Sequence, residues 1–315
     1  MNITRRRLVA GAAATLGVSS LPASARAPKV NRQVPGVHRM RVGDFELTSL
    51  SDGFTLIDRS ILVGDIETMN RLAEAAHLTR WPLQLSVNCF LANTGDSLIL
   101  IDAGAGDLML PSMGHLDQSL AAAGVNPADI DQVLITHLHG DHIGGVVSPD
   151  GKARFPNALI RAGQADIDYW TSEANMNQAA ERKVRFVASR RAAMVYGSRL
   201  RAIDPGSIVV PGIKALDTSG HTPGHTSYLI ESGGTRVLAT GDILHVAPVQ
   251  FSRPEITVRY DSDPDIARQV RRRLLDTAVA ENWILAIPHA PFPGLGRVRR
   301  DGGSYLFDAL PWQMF

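Results

Sequence analysis

The chain has 315 residues, 44% of them hydrophobic and 20% charged, with a formal net charge of +1. That supplies apolar material for a large core, and the near-neutral balance gives no extended field for nucleic acid or an anionic membrane surface. A single cysteine, Cys89, excludes an intramolecular disulfide, and its place in the apolar run from Val87 to Leu91 reads as core packing.

The first 27 residues read as a leader. Thr4-Arg5-Arg6-Arg7-Leu8-Val9 opens a weakly apolar segment that runs through Leu21, and Ala25-Arg26-Ala27 ahead of Pro28 has the small-residue form of a cleavage site. Paired arginines before an Ala- and Gly-rich segment resemble a twin-arginine export signal, so a periplasmic address is expected. Its removal takes away four arginines and no acidic residue, moving the net charge from +1 to −3. No later stretch approaches the ~18 apolar residues of a membrane-spanning helix.

Residues 28–43 are expected to form an N-terminal linker, and residues 44–315 one domain. Asp44 to Leu50 alternates as a strand does, and Ser51-Asp52-Gly53 reads as a turn. Ile66 to His77 has helical spacing. Leu85 to Asn93 and Ser97 to Asp102 read as strands joined at Thr94-Gly95-Asp96, and His115 to Ala123 as a helix closed by Gly124. A short buried strand, Asp131 to Thr136, then runs into Thr136-His137-Leu138-His139-Gly140-Asp141-His142. Ala158 to Arg161 is a further short strand. Gln164 to Tyr196 is a partly helical insert rich in charge and aromatic rings. Strands resume at Ile213 to Asp217, Thr226 to Glu231 and Thr235 to Thr240. Asp263 to Ala280 is a helix, and Trp283 to Ile287 is a last strand ending at Pro288-His289. Pattern alone gives strands and helices in mixed order, α/β or α+β.

The histidine run is the most informative segment. Residues i and i+2 at a strand end project to one side, so His137 and His139 can grip one ion. Asp141 and His142 lie just beyond, where the chain has turned and can serve a second ion. Gly140, Gly144 and Gly145 permit tight backbone around them. Imidazole and carboxylate are natural ligands for zinc and its first-row neighbours.

His-x-His-x-Asp-His resembles the signature of the metallo-β-lactamase-fold hydrolases, and further segments continue the match in order. Ser219-Gly220-His221-Thr222-Pro223-Gly224-His225 looks like the family's Gly-His-Thr-Pro-Gly segment. Thr240-Gly241-Asp242 looks like its strand-end aspartate, and Pro288-His289-Ala290-Pro291-Phe292-Pro293-Gly294 like the segment of its last ligand. Asn93-Thr94-Gly95 and Ile101-Asp102-Ala103-Gly104 resemble its early strand pair and Asp-x-Gly turn. The resemblance spans about Asp44 to Arg299. It implies an α+β fold of αββα form, two mixed sheets with helices outside, holding two divalent metal ions. Zinc is the default, with manganese, iron or cobalt as alternatives. His137, His139 and His221 would take the first ion and Asp141, His142 and His289 the second, with Asp242 bridging. His225 and Asp102 would support ligands without binding metal.

Among branches of the fold, the chain is most similar to the methyl parathion hydrolase group. Leu85-Ser86-Val87-Asn88, Asn175-Met176-Asn177-Gln178, Pro211-Gly212-Ile213-Lys214-Ala215-Leu216, Gly241-Asp242-Ile243-Leu244-His245-Val246-Ala247 and Pro291-Phe292-Pro293-Gly294 carry that likeness. The resemblance implies hydrolysis of an aryl ester, lactone or phosphotriester by a hydroxide bridging the ions. Asp242 and Asp141 would take part in the chemistry, and His245 would contact substrate or protonate the leaving group. Trp170, Phe186 and Met109 would line the substrate pocket. The partner expected is a small molecule rather than nucleic acid or membrane, and a homodimer is a family expectation. N-acyl-homoserine lactonases share the metal pattern but typically carry a tyrosine where this chain has His245; that activity stands as the alternative. A non-catalytic periplasmic metal-binding protein is the alternative outside enzymes.

Overall fold

The computed structural model describes residues 29–78, 80–312 and 314; the leader read in residues 1–27 lies outside the described residues. Residues 29–34 carry no regular secondary structure. From Pro35 the chain forms one compact unit.

In chain order, the first half of this unit contains β1 (Val37–Val42), β2 (Phe45–Ile57), β3 (Leu62–Val63), α1 (Ile66–Ala75), β4 (Leu83–Asn93), β5 (Leu98–Ile101) and α2 (Leu116–Ala122). It continues with β6 (Gln132–Leu134), α3 (Gly140–Ile143), β7 (Leu159–Gly163), α4 (Gln164–Trp170), α5 (Glu173–Gln178), α6 (Val187–Tyr196) and β8 (Leu200–Ile203). The second half contains β9 (Ile208–Val210), β10 (Ile213–Asp217), β11 (Thr226–Ser232), β12 (Thr235–Ala239), α7 (Ala247–Ser252), β13 (Thr257–Val258), α8 (Pro264–Ala280), β14 (Ile284–Ala286), β15 (Leu295–Asp301) and β16 (Ser304–Ala309).

Two seven-stranded mixed sheets result, ordered β1-β2-β4-β5-β6-β7-β8 and β16-β15-β14-β12-β11-β10-β9, with β3 and β13 as a small separate pair. Strands β5 to β8 are parallel to one another, as are β12 and β14; the other pairs in the two sheets are antiparallel. Side-chain alternation explains the layers. Ile99 and Ile101 of β5 face the second sheet, where Val237, Ala239, Ile284 and Ala286 meet them. Leu100 between them faces the opposite way, onto a core that includes Leu116 and Leu120 of α2 and Ala192 of α6. Leu238 and Leu285 do the same in the second sheet, packing on Val270, Leu274 and Leu275 of α8. Both faces of each sheet are thus buried, which is the αββα sandwich. Each fully buried Leu or Ile contributes roughly 1.5–3 kcal/mol of transfer free energy.

Helix boundaries follow local chemistry. Asp65 caps α1 by accepting from the Thr68 amide, and Asp263 caps α8 by accepting from the Asp265 and Ile266 amides, with Pro264 in the first turn.

The structure corrects several expectations. Val37–Val42, expected within the linker, pairs antiparallel with β2 as an edge strand; His38, Arg39 and Arg41 mask a period-two pattern in which Met40 and Val42 are buried. Ser51-Asp52-Gly53 is not a turn. It lies inside β2, where pairing with β4 slips register between Ser51 and Gly53. The chain does not end its strands at Ile287: β15 and β16 complete the second sheet, their arginines turned outward and Arg299 paired with Asp308 at 2.7 Å.

Candidate metal centre

The ligand segments lie in loops at one end of the sandwich. His137 and His139 follow β6 by a few residues, and Asp141 and His142 sit in α3. His221 belongs to the loop between β10 and β11, Asp242 to a short turn after β12, and His289 to the loop after β14. Close backbone approach makes this packing feasible. Gly241 has φ of 56°, and a Cβ there would meet His225 Nε2 at 2.4 Å. A Cβ on Gly145 would meet the Ala103 carbonyl oxygen at 1.8 Å.

His137, His139, His221 and Asp242 form one cluster, and Asp141, His142 and His289 another. Asp242 divides its carboxylate between them. Its Oδ1 lies 3.2 Å from His142 Nε2 and 3.1 Å from His289 Nε2, while its Oδ2 lies 3.6 Å from His137 Nε2 and 3.5 Å from His221 Nε2. Asp141 Oδ2 is 3.8 Å from His142 Nε2 and 3.6 Å from His289 Nε2. His139 turns Nδ1 inward, 2.9 Å from His137 Nε2 and 3.1 Å from His221 Nε2. The seven residues singled out by sequence are all brought together.

The outer ring nitrogens fix which way the lone pairs point. His142 Nδ1 donates to Asp102 at 2.8 Å, His221 Nδ1 to Asp261 at 2.8 Å, and His289 Nδ1 to the Ser86 carbonyl at 2.9 Å. Thr136 gives its hydroxyl proton to Asp102, so it accepts from His137 Nδ1 at 3.2 Å. Each of these rings therefore keeps Nδ1 for its outer partner and aims Nε2 at a carboxylate oxygen. His142 Nε2 and Asp242 Oδ1 are buried and have no hydrogen-bond partner. Such groups are costly to leave unsatisfied, and divalent cations satisfy them. The residues present fit two metal ions with nitrogen and oxygen ligands.

Protonation behaviour divides along the same line. Burial, with neighbouring histidines adding to it, holds His137 and His139 well below the usual histidine value. His142 and His289 are pushed the other way: burial opposes their charge, but the carboxylates of Asp242 and others nearby outweigh it and raise them. Asp242 is held well below the usual carboxylate range by the surrounding histidines, His289 first, against the effect of burial. Burial takes His225 down to about 3. It stays neutral, accepting the Asp242 amide at Nε2 (3.0 Å) and donating from Nδ1 to Thr218 (2.8 Å), and so holds the backbone of the shared aspartate.

Three supporting residues carry no motif in the sequence. Asp166 in α4 accepts from the Leu138 amide (3.0 Å), the Thr222 hydroxyl (2.8 Å) and the Gly224 amide (2.6 Å), joining the His137–His139 loop to the His221 loop. Asp261 braces His221. Asp52 accepts from the amides of Ala105, Gly114 and Leu116, each at 2.9 Å, and so clamps the loop carrying Met109. The Ser-Asp-Gly sequence leaves Asp52 open to either a turn or a supporting role, and these hydrogen bonds make it a support.

A cavity of about 410 Å³ opens over Asp141, Asp242 and His289. Met109 lines it, as expected, together with Leu56, Leu110 and Val187. His245 also lines it, its Nε2 3.0 Å from Asp242 Oδ2 and neither ring nitrogen hydrogen-bonded. Trp170 and Phe186 do not line this cavity but border the concavity that adjoins it. They are buried in the core beneath the first sheet, where Trp170 stands edge-on to His139 at 4.9 Å between ring centres. Their bulk is drawn into that core because the insert folds back on α6, with the Ser189 hydroxyl donating to the Trp170 carbonyl.

Residues 83–289 match the family described as the metallo-beta-lactamase superfamily. The chain belongs to it. Among solved members, AbOPH, a hydrolase of the β-lactamase superfamily, is 30% identical with a TM-score of 0.84, covering 90% of this chain and all of that one. AidC, a dizinc quorum-quenching lactonase, is 25% identical with a TM-score of 0.83 over the same shares. An N-acyl homoserine lactonase from Bacillus sp is 28% identical over 227 residues, 66% of this chain and 82% of that protein. The chain is thus a member of a metal-dependent hydrolase superfamily with lactonases among its homologues. No helix among the described residues is long and apolar enough to cross a membrane.

Proposed function

We propose that the chain is a dinuclear metal-dependent hydrolase of small ester-type substrates, with lactones, aryl esters and phosphotriesters as the candidate classes. The observation that carries this reading is the division of Asp242, one oxygen toward each histidine group, at the floor of an apolar cavity. Two divalent ions bound there, zinc by default, would polarise the carbonyl or phosphoryl oxygen and acidify a water toward neutrality. The chain's own residues do the rest. Asp242 holds both ligand groups at one spacing. The walls formed by Leu56, Met109 and Leu110 receive the acyl or aryl portion and exclude water from around the carboxylates. His245 faces the same space with its Nε2 beside Asp242 Oδ2, suited to contact the substrate or hand a proton to the leaving oxygen. The sequence segments around Gly241 and Pro291 favour the methyl parathion hydrolase group within the superfamily.

A second reading, acyl-homoserine lactonase, is favoured by the likeness to AidC and to the Bacillus lactonase; His245 at the position of that group's tyrosine counts against it. Metal content per chain, measured together with hydrolysis of an aryl ester, an aromatic lactone, an acyl-homoserine lactone and a phosphotriester, tests both. About two ions with activity abolished by a chelator is the expected result, and the best substrate assigns the branch. Ions retained with no turnover on any substrate would replace the proposal with a binding protein.

A further inference from the structure

A second concavity, of about 610 Å³, adjoins the catalytic cavity, and Arg185 and Tyr260 border both. Its lining carries three guanidinium groups, those of Arg182, Arg185 and Arg259. Among the described residues, none of the three has a carboxylate partner. Among the described residues the one acidic side chain at the lining, Asp261, is engaged elsewhere, accepting from His221 Nδ1 at 2.8 Å and from the Val258 amide at 2.9 Å. Arg185 is preoriented: its guanidinium carbon lies 4.8 Å from the centre of the Tyr260 ring, within cation–π range. It stands on the wall between the two cavities, and after burial, His221 and other charged neighbours its charge is a further cause holding His139 low.

Three cations around one hollow repel one another, and among the described residues no carboxylate pairs with them to offset the cost. A concavity walled by protein focuses such a field, and the guanidinium fork matches a carboxylate or a similar oxyanion. The catalytic cavity, by contrast, is walled largely by apolar side chains. We propose that the basic cavity is an anion subsite of the same centre, and that the preferred substrate is an ester or lactone bearing a second, carboxylate-type group remote from the reacting bond. The reactive carbonyl lies over Asp242, the connecting chain passes Arg185 and Tyr260, and the anionic end rests among the arginines. This rests on the hydrolase reading for the reacting end of the substrate alone.

The test compares mono-p-nitrophenyl adipate, which has a free carboxylate, with p-nitrophenyl hexanoate, its neutral counterpart of equal length. The wild type should favour the adipate ester in kcat/KM by about 10- to 100-fold, the worth of one charge-assisted hydrogen bond. Arg182→Gln combined with Arg259→Gln should bring that ratio toward one, chiefly through KM, and Arg259→Lys, which keeps the charge, should retain part of the preference. Both side chains are exposed, so the fold is not at risk. Titration calorimetry with hexane-1-sulfonate, a poor metal ligand, reads the cavity independently: binding to the wild type, lost in the double variant. A protein that hydrolyses neither ester yet binds the sulfonate through these arginines would refute the hydrolase reading and keep the subsite. A protein that hydrolyses the hexanoate ester with an unchanged ratio in the double variant, or that binds no sulfonate, overturns the subsite.

Discussion

The first ligand group, His137, His139 and His221, offers only imidazole nitrogen; the second, Asp141, His142 and His289, adds a carboxylate. Each turns one half-buried ligand, His139 and Asp141, toward the cavity. Their outer supports differ as well. Asp261 braces only the first group, through His221, whereas Asp102 holds His142 directly and His137 by way of Thr136. Two ligand groups that look symmetric about Asp242 therefore differ in charge and in what holds them. The second is the more electronegative, attracts protons as well as cations, and shares its support with the first.

Removing the shared residue should erase the distinction. Asp242→Ala is expected to lose ions from both groups and to reduce kcat/KM by on the order of 10³-fold; elemental analysis of the purified variant checks it, and a fully loaded, fully active protein would refute the bridging assignment. His245 leans on the oxygen that faces the first group but is not needed to hold it. His245→Gln should keep its metal content while kcat falls by about 10²-fold, as steady-state kinetics on metal-replete protein would read.

The supports separate the two groups. Asp261→Asn should weaken the ion at the first group by about 10- to 100-fold and spare the second, while Asp102→Asn should weaken both; competition with a graded chelator distinguishes one affected step from two. The smallest effect is one of order. His142 and His289 sit above the ordinary histidine value of 6.5, and His137 and His139 below it. Protons thus compete with metal at the second group at a higher pH than at the first. On acidification through about pH 6.5, the second ion should leave first, which metal analysis after stepwise dialysis follows. Simultaneous loss would mean that the two groups do not differ in this respect.

The residues that touch metal were readable because they lie in short motifs whose spacing is itself the chemistry: His137 to His142 within one loop, Gly-His-Thr-Pro-Gly around His221. What escaped was carried by contacts far apart in the chain. Asp166 reaches Gly224 and Asp261 reaches His221 across 58 and 40 residues, and nothing in their neighbours announces a partner. Val37–Val42 and Leu295–Asp301 lie toward the sheet edges, with charged side chains diluting the alternation that marks a strand. Trp170 and Phe186 were readable as large apolar groups near the site, but that they border the adjoining concavity rather than the cavity over Asp242 depends on how the insert folds back. The basic cavity is the same case: Arg182 and Arg259 become neighbours only once the insert and the β13 region meet.

Asn88 on β4 donates to the carbonyls of Ile287 and Ala290, at 3.2 and 2.9 Å, and its own amide donates to Pro288. His289 is therefore clasped by a strand of the other sheet, just as Asp166 links the loops of His137 and His221. Neither sheet alone can assemble a binding site. By linkage, occupancy at about a hundred times the dissociation constant adds about 2.7 kcal/mol to the folded state, and that increment is spent on keeping the sheets docked. Whatever loosens the sandwich weakens the grip on any metal bound there by the same amount, so a destabilising substitution far from the cavity is expected to lower metal occupancy before it unfolds the chain.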